Sequence, residues 1–261
     1  MNIDQHYGPT QQNFYVQIRF RRVLLSNMIM NNENNLQYID LGLTRYKPTW
    51  DLQKQLVALR YENKILDTLL ITEHHPVLTM GRGTNKNNLL VTPEILKQRG
   101  VDLHEIERGG DITFHGPGQT VFYPIINLKN RNNDVRQYLR DLEKFVILAL
   151  SKFGLEASIK EGLTGIWVDN HKVGAIGVAV SHWVTYHGMA LNINTNLDYF
   201  SLINPCGITE YSVGSVSQLL GREIKPLEIN KILLESFVKI FGYDHIDEIK
   251  KIGDIFKTSP K

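Results

Sequence analysis

With one cysteine among 261 residues, the chain cannot build an internal disulfide or a zinc site of clustered thiolates. It also has no excess of either charge. There are 29 lysines and arginines against 27 aspartates and glutamates, a formal +2, and the basic residues are spread along the chain. Nucleic-acid surfaces gather lysine and arginine into patches, so no such partner is expected. No apolar run approaches the roughly 18 residues that cross a bilayer, so the expectation is a cytoplasmic protein with no membrane partner. His74 and His75 are adjacent rather than a helical turn apart, and no metal is expected. Without heptads or an apolar stripe, a monomer is the default. No internal repeat and no Pro/Gly/Ser linker divides the body, while 42% hydrophobic and 21% charged residues are globular values.

Residues 1–35 differ from the rest. They hold the asparagine cluster MNNENN (30–35) and the basic-apolar run VQIRFRRVLL (16–25). A poorly ordered N-terminal extension is predicted there, with true initiation at Met28 or Met30, or an organelle-targeting segment, as the alternatives. The body follows over 36–245 and a tail over 246–261. Apolar spacing predicts a helix over 49–60, capped by Thr49 or Asp51, and further helices over 136–153 and 226–241, closed by Gly154 and Gly242. Strands are predicted over 69–72, running into a loop at EHHP (73–76), and over 120–127, where Pro124 suggests an edge or a bulge. The Asp169-Asn170 pair marks a hairpin within 165–177, and residues 182–194 alternate as a further strand. Strands in blocks, interrupted by helices, predict an α+β fold with a mixed or antiparallel sheet. The last sixty or so residues read as a candidate small subdomain.

The densest chemistry is RGGDITFHGPGQ (108–119). Its glycines admit a ligand close to the main chain, Arg108 can bind an acidic or phosphate group, and His115 can exchange a proton. A plain turn between strands is the competing reading. Cys206 sits in NPCG, a tight-turn context that presents a thiol to a substrate carbonyl, although a lone cysteine also serves as a small buried hydrophobe. A thiol needs a base or cation beside it to ionise at neutral pH. The candidates are His74, His75, His115, His171, His182, His187 and Lys172. Lys172 precedes the apolar run VGAIG and would be desolvated if buried there, or solvated if it belongs to the hairpin turn. GRGTNK (81–86) lacks the spacing of a phosphate loop.

Three blocks together resemble a known family. RGGDITFHGPGQ with Tyr123-Pro124, KVGAIG (172–177) with WVTYHGMALN (183–192), and NPCGI (204–208) are similar in order and spacing to the octanoyl transferases of lipoate biosynthesis, across about 36–245. The resemblance implies the α/β sheet with packed helices found in lipoate and biotin protein ligases. It implies an acyltransferase that moves an octanoyl group from octanoyl-acyl carrier protein to a lysine of a lipoyl domain, without cofactor. The implied acceptors are the lipoyl domains of 2-oxoacid dehydrogenases and the glycine cleavage H protein. By the same resemblance Cys206 is the thioester nucleophile and Lys172 lowers its pKa and shuttles the proton. Substrate binding falls to Arg108, Gly109, Gly110, Asp111, Ile112, Thr113, Phe114 and His115, to Ala175, Ile176 and Gly177, and to Gly188, Met189 and Ala190. His74 and Tyr123 are further candidates. An ATP-dependent lipoate–protein ligase of the same fold and a non-catalytic acyl-binding module are the alternatives.

Overall fold

The structure, a computed structural model, describes residues 34–204 and 212–255. Residues 1–33, 205–211 and 256–261, Cys206 among them, lie outside the described residues. All but two positions of the predicted extension fall outside, and Asn35 already opens a strand. In chain order, β1 (Asn35–Thr44) leads to α1 (Tyr46–Tyr61), β2 (Asp67–His74) and β3 (Val77–Met80). Next come α2 (Pro93–Gln98), β4 (Asp102–Glu105), β5 (Thr113–His115) and β6 (Gln119–Ile125). Then α3 (Val135–Ser151) precedes β7 (Ala157–Lys160), β8 (Leu163–Val168), β9 (His171–Ser181) and β10 (Val184–Asn192). β11 (Ser212–Val213), α4 (Val216–Leu220), α5 (Pro226–Phe241) and β12 (His245–Glu248) follow.

The large sheet runs β12-β1-β2-β6-β10-β9-β8-β7, with β11 beside β9. It is mixed, as expected: β12, β1 and β2 are parallel, while β2 through β7 pair antiparallel. β4, β3 and β5 form a small second sheet.

Successive strand residues point to opposite faces, which sorts the core. Leu69, Ile71 and Phe122 join Phe145, Leu142 and Val146 of α3 and Leu233 and Phe237 of α5 on one face. Leu70, Val121 and Tyr123 face Leu52, Leu56 and Val57 of α1 on the other. The predicted helix over 136–153 is α3, capped by Asp134, whose carboxylate accepts from Gln137 N at 2.9 Å. α5 runs from its first-turn proline to Gly242, which has φ +70°. Because α5 packs in the same core as α3, the described C-terminal residues belong to the main body rather than to a separate subdomain.

Three expectations need correction. α1 begins at Tyr46, with Arg45 alone between it and β1, and the Arg45 side chain makes no capping hydrogen bond; the Thr49 hydroxyl instead donates to Thr44 Oγ1 and Arg45 O. Pro124 lies in a central strand, between β2 and β10, not at an edge or bulge. Thr185 makes this workable: its hydroxyl donates to Pro124 O at 2.7 Å and accepts from Ile126 N at 3.0 Å. Finally, residues 246–255 are no loose tail. β12 pairs with β1, and Ile249 and Ile255 are buried against the α1 side of the core. The buried Asp67 carboxylate fixes this end, accepting from Arg60 Nε (2.7 Å), Asn127 N (3.0 Å) and the Tyr243 hydroxyl (2.9 Å).

Candidate active site

The glycine-rich segment 108–119 and the segments 172–177 and 183–192 meet at one cavity of about 370 Å³, a size suited to a small-molecule or acyl group. The antiparallel register of β9 and β10 sets two of them face to face: Gly177 pairs with Gly188, Ile176 with Met189, and Ala175 with Ala190. The third arrives because Gly109 N donates to Val178 O at 2.9 Å, laying the glycine loop on β9. Two absent side chains allow the close approaches, of the loop to β9 and of β6 to β10. A Cβ on Gly177 would meet Arg108 Cδ at 2.8 Å, and one on Gly188 would collide with Phe122 O.

Arg108 is buried and lines the cavity. Its Nη2 donates to Thr79 O (2.7 Å) and Thr79 Oγ1 (3.0 Å), and Nη1 to Gly109 O, so part of its role is to hold the loop on β3. Gly110, Asp111, Ile112, Thr113 and His115 also line the cavity. Phe114 does not: its ring is buried in the small sheet's core, stacked on Tyr199 at 4.7 Å. Gly109 acts through its backbone bond to β9.

Lys172 is half-buried on the cavity wall at the start of β9, with Nζ 5.6 Å from the centre of the Trp167 ring. Gly165 makes its slot, since a Cβ there would stand 2.5 Å from Lys172 Cε. The chain beyond residues 205–211 returns beside it: Val213 pairs with Lys172, and Gly214 N donates to Lys172 O at 3.0 Å. On the preceding side, Asn204 N donates to Asn88 O at 2.7 Å. Cys206 itself lies outside the described residues.

The histidines separate into two groups. His171 opens β9 and His182 sits at a turn, both outside the cavity, and His75 is exposed. His115 and His187 line the cavity, whereas His74 stands behind it, with Nε2 2.8 Å from the Tyr123 hydroxyl. Burial pulls His74 and His187 down to about 4 and His115 to about 3, so all three are neutral at pH 7. Burial also raises the Tyr46 and Tyr123 phenols, leaving them protonated hydrogen-bonding groups. His187 holds a left-handed φ of +54° inside β10, with its N–H given to Gln53 Oε1 at 2.8 Å. Such strain in a non-glycine strand residue is characteristic of functional walls.

Sequence reasoning missed Tyr46, Trp167 and the buried amides Gln119 and Asn192, all of which line the cavity. Gln119 and Asn192 lay inside the quoted blocks; Tyr46 opens a helix and carries no local signature. Among the described residues no group of three His, Cys, Asp or Glu side chains could hold a metal, and no helix is long and apolar enough to cross a membrane. A lysine side chain, two neutral imidazoles and apolar walls in one cavity suit acyl-group chemistry.

Known proteins resemble this chain in sequence and in fold. Residues 45–238 match the lipoyl protein ligase A/B catalytic domain. Proteins named octanoyltransferase are similar over most of their length. That of Rubrobacter xylanophilus is 47% identical, covering 77% of this chain and 91% of the relative. That of Caldicellulosiruptor bescii is 45% identical, covering 83% and 96%. In fold, the chain resembles a lipoate-protein ligase A crystallised with ATP (TM-score 0.65, 16% identity, covering 87% and 92%). It also resembles a bipartite lipoate protein ligase from Thermoplasma acidophilum (TM-score 0.64, 16% identity, covering 86% and 89%). The chain belongs to the octanoyltransferase family, acyltransferases built on the lipoyl protein ligase A/B catalytic domain.

Proposed function

We propose that this chain carries out octanoyl transfer in protein lipoylation with Cys206 as nucleophile and Lys172 as its proton partner. The donor is octanoyl-acyl carrier protein, and the acceptor is a lysine of a lipoyl domain, in 2-oxoacid dehydrogenases or the glycine cleavage H protein. One observation supports this most: β11, the first described strand after Cys206, pairs with the Lys172 end of β9 on the cavity wall.

In this scheme Lys172 takes the thiol proton and the Cys206 sulfur attacks the thioester carbon. The carbon–sulfur bond to the carrier breaks, and the carrier leaves as a thiol with that proton. One thioester replaces another, so the step needs no nucleotide. The neutral lysine amine then attacks the acyl-enzyme, its proton passes through Lys172, and Cys206 leaves as a thiol. Each methylene drawn into the cavity contributes about 0.8 kcal/mol, which favours a chain that fills it.

Intact-mass analysis after mixing the chain with octanoyl-acyl carrier protein, without nucleotide, tests this. The wild type gains one octanoyl group, Cys206→Ala gains none, and adding a lipoyl domain discharges the adduct. An unmodified wild type, with product formed only when ATP is supplied, overturns the scheme in favour of a ligase.

A further inference from the structure

Gln119 and Asn192 do no chemistry in that scheme, yet both are buried on the cavity wall and share one directed hydrogen-bond chain. The direction is fixed by backbone carbonyls, which only accept. Asn192 Nδ2 donates to Gly214 O at 3.0 Å, so its Oδ1 faces Gln119 Nε2, 2.9 Å away. Gln119 Nε2 gives its other hydrogen to Phe114 O at 3.1 Å. The glutamine oxygen is therefore left toward His115 Nδ1 at 2.7 Å, and it can accept there only from an N–H. Burial keeps the ring neutral, and a neutral imidazole with hydrogen on Nδ1 has none on Nε2. The far end of the chain, Gly214, also gives its N–H to Lys172 O. His115 is thus tied to the strand pair that carries Lys172.

From this geometry we infer that Gln119 and Asn192 are positioning residues. They lock His115 as the Nδ1–H tautomer, so that Nε2 serves as a bare acceptor in the cavity wall for an N–H of the attacking lysine amine. The identity of that amine rests on the transferase reading above; the tautomer does not. A lysine amine on a flexible stem attacks only when its lone pair is aimed, and one hydrogen bond to a fixed acceptor constrains it. No proton moves in this contact. The titratable groups around His115 are His74 (6.0 Å), Tyr46 (stacked, 6.0 Å), Arg108 and His187. None is an anion that would recharge the ring.

Nitrogen-15 NMR of the histidine rings in the full chain, near neutral pH, tests the tautomer directly, with His115→Gln used to assign the signal. The expected spectrum shows hydrogen on Nδ1 and none on Nε2. A protonated Nε2 in the wild type overturns the inference whatever the activity. Gln119→Glu cannot donate to Phe114 O or Asn192 Oδ1, and its carboxylate favours an imidazolium. In that variant aminolysis of the isolated octanoyl-enzyme falls about tenfold or more, while octanoylation of Cys206 changes less than about threefold. Equal losses in both half-reactions overturn the assignment. Asn192→Asp still accepts from Gln119 and keeps the Nδ1–H form. An unacylated wild type would sink the transferase reading and leave the tautomer result standing.

Discussion

The two helical layers cover the same sheet but bury different chemistry. Beneath α3 and α5 the interior is dominated by aliphatic and aromatic side chains, with Glu143 and Ser236 as buried exceptions, and Phe122, Phe145 and Phe237 are in edge-to-face contact at 5.7 and 5.2 Å. Beneath α1 and the small sheet, polar groups are buried: Thr44, Thr49, Gln53, Thr72, His74 and His115. Neighbouring residues of β6 divide between them, Phe122 to the first and Tyr123 to the second. One layer supplies stability by excluding water. The other holds polar groups in fixed orientations around a cavity, which an apolar core cannot do.

Substitutions should separate the two. Lys172→Ala has the largest expected effect, a loss of about 100-fold or more in turnover, with the melting temperature kept; near-normal turnover across the neutral pH range would remove its assigned role. Phe237→Ala should do the reverse, costing about 3–5 kcal/mol in urea unfolding while the folded fraction keeps its turnover. Next comes acid sensitivity of the polar layer. His74, His115 and His187 have folded pKa values depressed below the unfolded 6.5, so the unfolded chain binds more protons in between. Stability is therefore full above pH 6.5 and falls as pH drops toward 4, by at most about 1.4 kcal/mol per unit per histidine. His74→Gln should flatten that slope in unfolding measured at several pH values. Smallest is Tyr123→Phe, which removes the partner of His74 Nε2 and should cost about 1–2 kcal/mol.

Legibility in the sequence followed the same division. α3 and α5 were readable because amphipathic spacing and terminal Pro226, Gly154 and Gly242 act locally, whereas the Asp134 cap of α3 was not read. The β8–β9 hairpin was readable from Asp169, whose φ is +51°. The start of α1 and the central place of Pro124 were not, since a neighbouring strand and the Thr185 hydroxyl decide them from far along the chain. NPCGI lies beyond the described residues after Asn204. The blocks 108–119 and 172–192 were legible in the sequence, but not as one cavity. That Phe114 turns away from it while Tyr46 turns in depends on the small sheet packing over α1, and no local pattern encodes that.

Asp67 gathers partners from α1, the end of β6 and the turn before β12 on one carboxylate. Its three donors are therefore energetically interdependent. Once the carboxylate is gone, losing Arg60 or Tyr243 as well should cost little more, and a double-mutant cycle between Asp67 and Tyr243 should show strong non-additivity. Change at that corner of the molecule is tolerated only in concert.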